Sequence, residues 1–218
     1  TGLYSTANHD VNFGQRPFKY TPPTGYLKLN TFNLPDSSIE DGSEYFVTAL
    51  YTGNGVARSI DNTITDGSNP QVETGDPIQF QPDLVWKKNR AISDNHMLVD
   101  SIRGVYYELY SNLTNAQGGD GNGLVSFNSD GFGIGNSSLW NATGNSYVAW
   151  NWKAGGTAVS NTDGTITTTV SANPPAGFSV VTYTGTGSAA TVGHGLGVAP
   201  SMIIAKSRNN TGGDAGIW

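Results

Sequence analysis

The sequence predicts an all-β protein built from tandem antiparallel β-sandwiches, and three observations carry that expectation. Glycine, asparagine, serine and threonine together exceed two-fifths of the 218 residues, a composition that favours turns over long helices. Charged residues are only 13% while aromatic residues reach 11%, which suits packed strands better than a helical bundle or a disordered chain. The third observation is internal similarity. Phe46-Val-Thr-Ala-Leu-Tyr51-Thr-Gly53-Asn-Gly55 aligns with Phe178-Ser-Val-Val-Thr-Tyr183-Thr-Gly185-Thr-Gly187. Gln81-Pro82-Asp-Leu-Val-Trp-Lys-Lys88-Asn-Arg90 then aligns with Ala199-Pro200-Ser-Met-Ile-Ile-Ala-Lys206-Ser-Arg208. Two blocks in the same order define a repeat.

Taken in order, segments 46–51, 84–87, 124–127, 147–152, 165–170, 178–183 and 202–205 are rich in β-branched and aromatic residues and read as strands. Turn signals separate them: Thr-Gly-Asn-Gly at 52–55, the glycine run at 118–123, Ser-Asp-Gly at 129–131, Thr-Asp-Gly at 162–164 and Pro-Pro at 174–175. Residues 96–109 carry apolar side chains at helical steps, but Gly104 interrupts them and Tyr106-Tyr107 favours extended backbone. We read two strands around a turn. Within 147–152, alternation puts Val148, Trp150 and Trp152 on one face and Tyr147, Ala149 and Asn151 on the other. The tryptophan face is the expected core.

The first copy carries extra residues between its two blocks, placed at 61–77, where Asp, Gly, Asn, Thr and Pro predict a surface loop. After its second block the first copy runs on to about Gly156, whereas the second has little chain left. The expectation is that the natural polypeptide continues past Trp218.

Composition also excludes classes of function. A net charge of −6 argues against nucleic-acid binding, which needs clustered Lys and Arg. No apolar run approaches the length that spans a bilayer, so no membrane insertion is expected. With no cysteine, neither disulfides nor thiolate metal sites contribute. His9, His96 and His194 lie far apart and form no ligand-spaced pair; His194, within Gly193-His-Gly-Leu-Gly197, reads as a tight turn. The 118–123 glycine run lacks the Lys-Ser/Thr of a phosphate loop. Asp120 and Asn122 there, and Asp61, Asp66, Glu73 and Asp76 in the insert, leave calcium open, since loops at a sandwich edge can pool ligands. No acid sits in a recognisable catalytic motif, although paired carboxylates are a spatial rather than a sequential feature. No enzyme activity and no cofactor are expected. Sequons begin at Asn112, Asn136, Asn141 and Asn209, a frequency that the composition alone produces. The aromatic residues with a binding interpretation are Tyr106, Tyr107 and Trp140, whose rings suit stacking on a sugar or a partner surface.

Val11-Asn-Phe-Gly-Gln-Arg-Pro-Phe-Lys-Tyr-Thr-Pro-Pro-Thr-Gly-Tyr26, followed by Leu29-Asn-Thr-Phe-Asn-Leu-Pro35, resembles the closing strands of SPRY (concanavalin-like) domains in bacteriophage proteins. The following section resembles an uncharacterised domain that comes after SPRY in tailed phages. Its signposts are Tyr51-Thr-Gly-Asn-Gly55, Pro82-Asp-Leu-Val-Trp-Lys-Lys-Asn-Arg90, Asp100-Ser-Ile-Arg-Gly104, Ser126-Phe-Asn-Ser-Asp-Gly-Phe132 and Tyr147-Val-Ala-Trp-Asn-Trp-Lys-Ala-Gly-Gly156. The 61–77 insert and Val105-Tyr-Tyr depart from that pattern. The resemblance implies concanavalin or jelly-roll-like sandwiches, divided as the end of a SPRY-like domain at 1–35, repeat unit 1 at 36–156, and a linker strand with the start of unit 2 at 157–218. It further implies a virion structural protein in a fibre, spike or capsid or tail appendage. Its partners would be copies of itself, neighbouring virion proteins and host surface glycan. It supplies no catalytic residues. The rival readings are a carbohydrate-binding module without catalysis and an accessory part of a polysaccharide depolymerase.

Overall fold

The computed structural model describes residues 12, 16–26, 39–61, 78–209 and 215–217. The chain divides into two compact units, Thr1–Glu40 and Asp41–Trp218. In the first, the Asn12 side chain accepts from the Arg16 amide at 3.2 Å and donates to the Arg16 carbonyl at 3.1 Å. A turn closes where the Tyr26 amide donates to the Pro23 carbonyl at 3.0 Å. The rest of the segment likened to closing SPRY strands lies outside the described residues, as do positions 62–77 of the insert.

The second unit opens with a single 3₁₀ turn, Gly42–Glu44, whose entry is capped by the Asp41 carboxylate accepting from the Ser43 amide. Among the described residues fourteen strands follow: Phe46–Thr52 (β1), Arg58–Asp61 (β2), Leu84–Asn89 (β3), Met97–Asp100 (β4), Tyr107–Tyr110 (β5), Gly118–Gly119 (β6), Leu124–Asn128 (β7), Gly131–Ile134 (β8), Ser146–Trp152 (β9), Val159–Asn161 (β10), Thr168–Asn173 (β11), Phe178–Thr182 (β12), Ile204–Lys206 (β13) and Ala215–Ile217 (β14). One short helix, Ser138–Asn141 (α1), precedes β9. Strands take 37% of the described residues and helix 4%, so the fold is all-β.

The main body is a sandwich. One sheet has the order β1-β9-β3-β4-β5-β6, the other β2-β8-β7, and all strand pairs within them are antiparallel. Val47, Ala49, Tyr51, Val85, Met97, Val99, Tyr147 and Ala149 of the large sheet meet Ile60, Leu124, Phe132 and Ile134 of the small one in a single buried cluster, joined by Ile78, Phe80 and Trp140. Gly131 starts β8 with φ +151°, and a side chain there would strike the Ile60 carbonyl of the neighbouring strand. Only glycine lets β2 and β8 approach so closely.

The alternation expected for 147–152 is present, but the expected core face is the wrong one. Tyr147, Ala149 and Asn151 are fully buried between the sheets, whereas Trp150 and Trp152 are half-buried on the outer face. Space decides this. β9 is flanked by β1 and β3, and small Ala149 lets Tyr51 and Tyr147 stack beside it at 5.0 Å. Two indoles on that side would overfill the gap between sheets. Outside, Trp152 packs against Phe46 at 4.9 Å and Phe178 at 6.0 Å, and Trp150 lies edge-on to Trp86 at 5.8 Å.

Residues 96–109 do form two strands around a turn. Gly104 (φ +93°) ends that turn, its amide donating to the Asp100 carbonyl at 3.0 Å. Two smaller sheets come later, β10-β11-β12 and β13-β14. In the β3–β4 hairpin Trp86 faces Leu98 and Lys87 faces Met97; in β13–β14 Ile204 faces Ile217 and Lys206 faces Ala215. Under the alignment of the two copies these registers differ by one residue in the connection. The first block of the sequence repeat falls on β1 and β12, and the second on β3 and β13.

Candidate functional site

Trp140 is the natural starting point, because its ring suggested a surface contact. Ser137 caps α1, its hydroxyl accepting from the Leu139 amide at 3.3 Å and donating to Asp120 Oδ2 at 2.5 Å. That anchoring turns Trp140 inward to full burial. Its Nε1 donates to Glu108 Oε1 at 2.6 Å, and its carbonyl accepts from the Tyr51 hydroxyl at 3.0 Å. Trp140 therefore cannot stack on a glycan. The buried indole found a buried carboxylate for its N–H, which is what interior tryptophans require.

Beside it lies Lys87, also fully buried. Val85, Lys87 and Asn89 alternate onto the inner face of β3, so the lysine is carried in with its neighbours. Its Nζ donates to the Leu139 carbonyl, lies 3.8 Å from Met97 Sδ, and sits 5.0 Å from the Tyr147 ring centroid and 5.4 Å from that of Trp140. Ring faces and a carbonyl partly replace the water that the ammonium loses. Burial still lowers its pKa to about 8, against the opposing pull of Asp94 and Glu108. Burial raises the Glu108 pKa, while the Trp140 N–H works the other way.

Tyr106 and Tyr107 sit on the surface, 54% and 42% exposed, with rings 5.4 Å apart and nearly perpendicular. Gly119 of β6 lies under the Tyr106 ring, and a side chain there would collide with it. Tyr107 and Glu108 are successive residues of β5 and point to opposite faces. The structure therefore keeps the two tyrosines together and separates them from Trp140.

Arg103 braces the base of this pair. Its Nε meets Asp100 Oδ2 at 2.5 Å, and its terminal nitrogens donate to the carbonyls of Tyr107 and Leu98 and to Gln117 Oε1.

A shallow cleft of about 460 Å³ is lined by Gln81, Asp83, Lys153, Gly155, Gly156 and Asn173, among others. Asp83 is buried at its floor. Its Oδ2 accepts from the amides of Ala154 and Gly156 at 2.8 and 3.2 Å, and its Oδ1 from the Ser101 hydroxyl at 2.7 Å. Both oxygens serve the backbone and a neighbouring loop, so this carboxylate is a clamp. Asn141 is similar: its amide donates to the carbonyls of Val56 and Gly135, both at 2.8 Å, and its oxygen accepts from the Asn54 amide.

Among the described residues, no three His, Cys, Asp or Glu side chains cluster to hold a metal ion. Asp120 spends its oxygens on the Asn122 amide and Ser137. Asp66, Glu73 and Asp76 lie outside the described residues, as does His9. His194 makes the expected turn, its Nδ1 accepting from the Leu196 amide at 3.2 Å.

Reading from residues alone missed Lys87, Glu108 and Asp83. For Lys87 a signal exists, since Val85 and Asn89 flank it at alternate positions. The carboxylates carry no comparable pattern, because their side-chain partners are 18 to 73 residues away.

These features define an all-β sandwich whose polar interior is committed to its own architecture. The chain belongs to the family described as "Domain of unknown function (DUF7483)", which matches residues 41–217. Searches of curated proteins and of solved structures returned no match.

Proposed function

We propose that this chain is a structural segment of a phage virion appendage, a fibre, spike or capsid or tail decoration, built from sandwich units in series and assembled with copies of itself. The observation that carries this reading is that both blocks of the sequence repeat fall on strands in each copy, β1 and β3 in the first and β12 and β13 in the second. Serial units that share a strand plan suit an extended load-bearing protein. The resemblance of residues 11–35 and of the later signposts to phage SPRY-linked domains supplies the virion setting. The interior polar groups support the same reading, since Asp83, Glu108 and Asn141 each hold distant segments together. The test is a reconstruction of the intact particle together with sedimentation of the purified chain. Density for this chain at an appendage, and stable self-association, are expected; a monomer absent from the particle overturns the proposal.

A second reading, a carbohydrate-binding module, is favoured by the exposed Tyr106–Tyr107 pair. Perpendicular rings offer one face for stacking and one edge for polar contact. A glycan array reads it: saturable binding that Tyr106→Ala and Tyr107→Ala abolish, with Trp140 left intact, supports this reading. Unchanged binding in both variants removes it.

A further inference from the structure

The chain leaves the sandwich at the end of β9 and enters the β10-β11-β12 sheet through residues 153–158. Gly155 and Gly156 lie in that connection, and successive glycines ordinarily give a connection freedom to swing. Here the connection is gripped from both sides.

On the sandwich side, the Lys153 amide donates to the Tyr45 carbonyl at 2.8 Å, and its ammonium lies over the rings of Tyr45 and Phe80 at 5.8 and 5.9 Å. Asp83 takes the amides of Ala154 and Gly156. On the other side, the Gly155 amide donates to the hydroxyl of buried Ser171 at 2.9 Å, and the Asn173 side-chain amide donates to the Ala154 carbonyl at 3.3 Å. Bonds to the sandwich and to the sheet thus alternate along residues 153–156. Gly155 serves close approach more than freedom, since a side chain there would strike the Ala172 carbonyl oxygen.

Rings add a further contact. Trp152, the last residue of β9, packs against Phe46 at 4.9 Å and against Phe178, the first residue of β12, at 6.0 Å. Phe46 and Phe178 hold equivalent places in the two aligned blocks, so one indole receives the same residue from each copy. Ser171, Ala172, Asn173 and Phe178 all belong to one end of the β11–β12 hairpin, where Asn173 faces Phe178. The shallow cleft lined by Gln81 and Asp83 on one side and by Asn173 and Pro174 on the other is the seam between the two bodies. A single contact would leave the sheet free to rotate about it; hydrogen bonds, backbone packing and ring stacking at separate residues remove that freedom.

We infer that residues 153–156 form a locked joint, which holds the β10-β11-β12 sheet to the sandwich in one orientation so that the two move as one body. The inference does not rest on the virion reading, and the two fail separately. A chain absent from every particle keeps its joint, and a swinging joint leaves the particle assignment untouched.

Spin labels test it in the whole chain, which has no cysteine to interfere. Val125→Cys on β7 and Val159→Cys on β10, 41% and 62% exposed, report the distance between the two bodies by double electron–electron resonance. One narrow distance distribution is expected. Gly155→Val, which forces the backbones apart, and the pair Ser171→Ala with Asn173→Ala, which removes the bonds to the connection, should each roughly double its width. A second label pair within the sandwich, Ile92→Cys with Val125→Cys, should stay narrow in both. A broad or split native distribution overturns the inference, as does a width that neither variant changes. Should a variant disturb the internal pair, the native width still decides.

Discussion

At the level of single residues, the most consequential observation is a lysine in the core. Burial holds folded Lys87 near 8, whereas an unfolded lysine titrates near ~10.4. Between those values the unfolded chain binds more protons, so stability rises with pH across that window, by up to about 3 kcal/mol. Glu108 acts with the opposite sign. Its pKa is raised in the folded state, so its contribution is complete below the unfolded carboxylate value and is lost as pH climbs through the folded one. Urea unfolding of the native protein should therefore give a higher midpoint at pH 10 than at pH 7.5. In Lys87→Met, which roughly conserves volume, the alkaline rise should disappear; persistence of the same rise would show that another group causes it. Tyr51, whose hydroxyl burial pushes well above the usual phenol range, begins to remove stability as pH passes the unfolded phenol value of ~10.

At the level of elements, Asp83 shows how a short motif organises three segments. Its amide donates to the Trp152 carbonyl at 2.8 Å and its carbonyl accepts from the Ser101 amide at 2.9 Å. With the side-chain bonds already described, one residue at the head of β3 fastens the turn after β4 and the chain leaving β9. Replacing Asp83 by Ala strands two amides and should cost about 3 kcal/mol. Exchange at the Ala154 and Gly156 amides should accelerate, and a loss under about 1 kcal/mol, with unchanged exchange, would contradict the clamp. The Pro82-Asp83, Asp100-Ser101 and Lys153-Ala-Gly-Gly156 signposts were readable as signposts; their mutual contact was not, because nothing local in a sequence encodes bonds across 71 residues. The strand at 147–152 teaches a related lesson. Its alternation was legible from composition, but which face turned inward depended on β1 and β3, which lie far away in the chain. Trp140 was misjudged for the same reason, its burial being set by Glu108 on another strand.

At the level of the whole molecule, burial is concentrated in the first sandwich. The single large apolar cluster is drawn from β1–β9 and their connections, while the later sheets contribute only a few buried positions, such as Val170 and Leu196. Amide exchange should reflect this, with β1, β3 and β9 opening only on global unfolding and β10–β13 exchanging through smaller openings. Equal protection throughout would show that the sheets unfold as one. The general architecture was readable from turns and strand composition because antiparallel sandwiches depend on local signals. The insert and its acids were recognised as extra chain, yet their chemistry lies outside the described residues.

The placement of β9 has a mechanical consequence. This strand runs straight through the Asp83 clamp into residue 157 and the second copy, and it is laced along its length to neighbours on both sides. Tension applied along its axis would load those two ladders in shear, so many bonds must give together instead of peeling one at a time. A strand threaded in this way resists being drawn out of its sheet.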